Sequence, residues 1–115
     1  MTTTHEDLIA DDFTDLLAER GQSFVYCRGN STSTVSMVKQ TQRTEQVDSG
    51  NGLIVEVIAV DFKCLTSALP FAVPKQGDQL KAGGETWEIC PQPGGSKVYQ
   101  QITKTVTRLH AVQVK

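Results

Sequence analysis

The sequence predicts a mainly β protein: a small antiparallel β-barrel or sandwich of about six to seven strands preceded by one amphipathic N-terminal helix. Three observations predict it. Helical spacing of apolar residues is confined to residues 3–21. Beyond Gly21 the apolar period changes to two, and Gly, Pro and Asn turn signals then recur at short intervals. With 115 residues the chain is the size of one domain, 1–115, made of a helix or arm (1–21) and a β domain (22–115).

The helix comes first. Thr3 with Glu6, and Thr4 with Asp7, both fit a capping box. Ile9, Phe13, Leu16, Leu17 and Arg20 recur at helical spacing, and Gly21 is expected to stop the helix in the left-handed conformation. Glu6, Asp7, Asp11, Asp12 and Asp15 load its first half, where the helix dipole favours anions.

The strands follow. Ser23–Arg28 is a short β-rich run ended by Gly29-Asn30-Ser31. Residues 34–38 alternate, then grade into the polar stretch 39–47. Asn51-Gly52, within the turn cluster 48–52, is the strongest hairpin signal in the chain. In residues 53–65, Ile54, Ile58, Val60, Phe62 and Cys64 share one parity. Val55 and Val57 are apolar too, so the first half is expected to be buried on both faces. Pro70 and Pro74 break the next segment. Gly77-Asp78 turns the chain into 79–81, and Gly83-Gly84 turns it again into 85–90, where Trp87 and Ile89 point one way. A Pro/Gly loop, 91–96, leads to a Thr/Val-rich region, 97–115, read as one or two strands with a bend near Arg108.

Composition excludes more than it specifies. Eleven Lys and Arg stand against 13 Asp and Glu, a net charge of -2, which argues against a protein devoted to bare nucleic acid. The total conceals an asymmetry. Residues 1–20 carry six acids and one base, whereas residues 94–115 carry four bases (Lys97, Lys104, Arg108, Lys115) and no acid. These are solvated faces, or they meet within one monomer, or they are complementary surfaces on neighbouring subunits. Cys27, Cys64 and Cys90 form no C-x-x-C pair and read as small core residues. No secretory signal and no membrane-length apolar run is present, so the expected compartment is the cytoplasm, or a larger particle that leaves it.

Chemistry finds little material. His5 and His110 are the only histidines, and no G-x-S-x-G elbow accompanies them. Asp11-Asp12 and Glu6-Asp7 are adjacent pairs pointing about 100° apart on a helix, the arrangement of a solvated helix start. Gly94-Gly95-Ser96-Lys97 lacks the spacing of a phosphate loop and no helix follows it. The reading is therefore of a non-enzyme with no catalytic residue, metal or cofactor.

One segment resembles a known family. Val73 to Ile89, carrying Gly77, Asp78, Leu80, Gly84, Trp87 and Ile89, is similar to the G-D-x-(hydrophobic) … G-x-x-(aromatic)-x-(hydrophobic) stretch of small head–tail joining proteins of tailed bacteriophages, including the tail-attachment protein of lambda-like phages. The resemblance implies a virion structural protein. Such a protein forms a ring at the head–tail junction and contacts the portal or its adaptor on one side and tail proteins on the other. It is a monomer in isolation or a ring on its target, with no membrane and no sequence-specific nucleic acid as partner. Its interfaces are expected in segments that order on binding: the N-terminal segment with Ile9, Phe13 and Leu17, the polar hairpin 41–52 with Arg43, Glu45, Asp48 and Asn51, and the loop 67–75 with Leu69 and Phe71. Phe71, flanked by prolines, is equally readable as a plug in the chain's own core. Lys104 and Arg108 join them from the basic end. The alternatives are a tail terminator or minor tail protein at the same junction, or a small β-barrel module binding a peptide or ligand through loops around Trp87.

Overall fold

The computed structural model describes residues 5–48, 50–71, 73–93 and 95–114, with side chains from Phe13 onward. The capping-box residues Thr3 and Thr4, the side chain of Ile9, and Lys115 lie outside the described residues. Helix α1 (His5–Arg20) leads into eight strands: β1 (Gln22–Arg28), β2 (Ser31–Lys39), β3 (Arg43–Asp48), β4 (Ile54–Leu65), β5 (Gln79–Ala82), β6 (Glu85–Ile89), β7 (Tyr99–Gln101) and β8 (Val106–Val114). The predicted fold class is the observed one, and the choice between barrel and sandwich resolves to a barrel. Antiparallel pairing runs β1–β2–β4–β8–β6–β5 and closes where β5 returns to β1, with Val25 opposite Lys81 and Cys27 opposite Gln79. Strands β3 and β7 are additions on the outer edges of β4 and β8.

Strand parity fills the barrel. Phe24 and Tyr26 (β1), Val35 and Met37 (β2), Val60, Phe62 and Cys64 (β4), Leu80 (β5), Trp87 and Ile89 (β6), and Leu109 and Ala111 (β8) all point inward. Phe62 sits at the centre, edge-on to both Phe24 and Trp87 with ring centroids 5.1 and 5.7 Å apart. The opposite parity faces out. Val38, Leu65 and Val106 form an outer apolar patch, on which Phe13, Leu16 and Leu17 seat α1.

Three local expectations change, and the polar hairpin 41–52 gains its register. Gly21 does not take a left-handed φ; it is required because a Cβ there would lie 2.2 Å from the Leu17 carbonyl oxygen, which accepts the Gly21 N–H. The first half of β4 is not buried on both faces: Ile54 is 68% and Val55 43% exposed, because only β3 accompanies them beyond the barrel. The polar stretch is itself a strand, β3, paired along its whole length from Arg43–Ala59 to Asp48–Ile54. No bend falls at Arg108, which pairs within β8; the chain turns at 102–105, where the Thr103 hydroxyl accepts the Thr105 and Val106 N–H groups.

The β5–β6 hairpin follows its sequence signal. Gly83 (φ +58) and Gly84 (φ +82) are both left-handed, as a two-residue type I′ turn demands. That turn fixes the register Leu80–Trp87 and sends both side chains into the core.

Candidate functional site

The Gly77-Asp78 pair works inside the fold. Gly77, at φ +96, brings the chain back so that its N–H reaches the Ile89 carbonyl while the Ile89 N–H reaches that of Asp78. The Asp78 carboxylate is buried and accepts four groups. The Tyr26 hydroxyl donates at 2.6 Å, Arg28 Nε and Nη2 at 2.9 and 2.8 Å, and the Lys75 N–H at 2.9 Å. Burial pushes its proton affinity up, but the hydrogen bonds from Arg28, Tyr26 and Lys75 outweigh it and hold the carboxyl below its ordinary value. Burial, then the bond to Asp78, pushes the Tyr26 phenol up. Arg28 also donates to the Val73 carbonyl at 2.7 Å and lies 4.1 Å above the Phe71 ring. The Pro-punctuated segment is thus strapped across one end of the barrel. Leu69 and Phe71 turn inward against the core, Phe71 beside Tyr26, which favours the plug reading over an exposed anchor.

A second cluster joins the hairpin to the barrel. His110, on the outer face of β8, directs Nδ1 at the Cys90 carbonyl (2.8 Å) and Nε2 at Glu45 Oε1 (2.9 Å). Both partners offer oxygen acceptors to the ring. Glu45 also accepts from Arg43 at 2.9 Å, and Arg43 reaches Asp61 at 3.3 Å. Cys90 Sγ lies 3.8 Å from His110 Nδ1, which brings a thiol and an imidazole together. Burial, followed by Glu88 and Glu45, pushes that thiol up to about 11, so it is not a thiolate near neutrality. Burial pushes Cys64 up to about 12.

Beside this cluster lies an open groove of about 990 Å³, lined by polar and apolar surface alike. Its floor is His110 and Val98; Val98 is buried, and its carbonyl accepts the His110 N–H. Its rim carries three cations from three segments: Lys75 from the strap, Lys97 from the loop before β7, and Arg108 from β8, whose Nη2 donates to Gln100 Oε1. Among the described residues no acid lines the groove, and none of these three cations makes an ion pair.

The expected interface residues are dispersed. Phe13 and Leu17 cover their own barrel. Arg43 and Glu45 are bonded at the hairpin base, whereas Asp48 and Asn51 are exposed at its tip, with Asp48 accepting the Gly50 N–H. Lys104 is exposed in the β7–β8 turn, and only Arg108 reaches the groove. Lys97 belongs to the basic C-terminal excess that the sequence displays, but Lys75 carries no signal there. The Glu45–His110 pair spans 65 positions of sequence and has none either. Trp87 is 1% exposed and offers no face to a ligand. Among the described residues no cluster of His, Cys, Asp or Glu suits a metal ion, and no helix is long and apolar enough to cross a membrane. Compared with family models and with curated proteins, the chain matches none.

Proposed function

We propose that the chain is a non-enzymatic structural subunit of a tailed-phage particle, acting through its surfaces in a ring at the junction of DNA-filled head and tail. The observation that carries this reading is the resemblance of residues 73–89 to head–tail joining proteins. Each recognisable residue of that segment serves the fold. Gly77 and Asp78 form the strap, Gly84 the turn, and Leu80, Trp87 and Ile89 the core. Such a motif marks a scaffold and carries no reaction. The barrel closes where β5 returns to β1, and the surfaces it offers for association are the outlying hairpin, the groove and α1.

The test is genetic and visual. A phage or prophage lacking this chain should yield packed heads and finished tails that remain separate by electron microscopy, and adding the purified chain should restore joined particles. Joined particles without the chain would overturn the reading. Tails of uncontrolled length would assign the chain to the tail terminator instead.

A further inference from the structure

We propose that the basic groove is the seat of helix α1 from a second copy of this chain. The occupant is chosen by charge. The groove gathers Lys75, Lys97 and Arg108 with no acid among its described lining residues. Segment 1–20 carries six acids against one base. Both halves are present in every copy. Each subunit can therefore give its helix to one neighbour and receive a helix from another, a heterologous contact that propagates round a ring.

Size and anchoring agree. An α-helix with side chains is about 10 Å across and rises 5.4 Å per turn, so about 990 Å³ accommodates roughly two turns. The apolar side of α1 is already committed: Phe13, Leu16 and Leu17 lie on Val38, Leu65 and Val106 of the same chain. What remains outward includes Asp15 and Glu19, both exposed and without an ion pair among the described residues. A helix fixed to its own barrel on one side presents an anionic ridge on the other. The groove presents cations whose charge nothing described in the same chain answers. An exposed contact of this kind sets register and encounter rate and is sensitive to salt, since screening operates over about 10 Å at 0.1 M.

The inference rests on the ring reading only for the symmetry of the contact, and its test does not read particle assembly, so either can fail alone. A fluorescent peptide of residues 1–20 is titrated with the full-length chain and followed by anisotropy. Saturable binding is expected, weakened at least tenfold between 25 and 300 mM NaCl. The same loss is expected from Lys97→Glu with Arg108→Glu, and a smaller one from Lys97→Glu alone; Lys97 is exposed, so the single variant keeps the fold. Three outcomes overturn the proposal: no saturation; equal binding by the double variant; or displacement of the peptide by a short DNA duplex at lower concentration than by unlabelled peptide.

Discussion

Two clusters of charge lie on one small barrel and are used in opposite ways. At the strap, Asp78 is buried and every contact it makes is internal, so its charge is consumed in holding residues 73–78 against β1. At the groove, Lys75, Lys97 and Arg108 share a rim with no acid among the described residues, and their charge is available to whatever arrives. The difference teaches where function resides in such a chain. The residues that stand out as a motif are those the fold cannot do without, whereas the available surface is built from residues that no pattern marks.

The sharpest way to break the comparison is at Asp78. Asp78→Asn keeps the shape but removes the charge that Arg28 and Tyr26 address. Loss of a partner from a mostly buried, hydrogen-bonded ion pair costs about 3 kcal/mol. Urea denaturation should show it, and a loss under about 1 kcal/mol would mean that the strap is dispensable. The pH dependence follows from the depressed carboxyl. Its stabilisation is fully present above the unfolded value near 4 and is lost as pH falls through the lower folded value. The wild-type chain should therefore lose stability progressively below about pH 4, and Asp78→Asn should lack that component. Lys97→Glu at the groove should leave both the midpoint and the acid profile unchanged.

That contrast also explains how far the sequence could be read. Helix α1, the β5–β6 turn and the inward parity of Trp87 and Ile89 were legible because they are local, set by spacing of three or four on a helix and two on a strand. Barrel closure was not legible, since β1 meets β5 across more than 50 positions and hydrogen-bonded pairing leaves no signature at that distance. Strand β3 showed only as the polar arm of a hairpin, because it is held by charge: Arg43 and Glu45 are half-buried against Asp61 and His110, while Thr44, Gln46 and Asp48 face solvent. The same reason hid the groove. Its three cations come from separated segments, and only the fold brings them to one rim.

The hairpin base offers a test of intermediate size. Glu45→Gln removes the carboxylate shared by Arg43 and His110 yet leaves an amide oxygen able to accept one bond. The expected loss is about 1–2 kcal/mol, less than at Asp78, because Arg43 keeps Asp61 and stands partly in water. A loss as large as that of Asp78→Asn would show that the hairpin is as integral to the barrel as the strap. Chemical denaturation of the two variants side by side decides it.

The smallest effect is expected at the exposed end of β4, a strand whose two ends read alike and behave differently. Ile54 and Val60 share parity and an apolar side chain, but Val60 is fully buried in the barrel core, paired with Ala111 of β8, while Ile54 stands 68% exposed beyond the barrel. Val60→Ala removes two methyl groups from a closed core and should cost about 2 kcal/mol or more, through lost burial and the cavity left behind. Ile54→Ser should change stability by less than about 0.5 kcal/mol, since the side chain is already in water. Equal costs would mean that the hairpin tip folds against the barrel and that its exposure is not the state in solution. An apolar run records what a strand is able to bury, and only its neighbours decide whether it does.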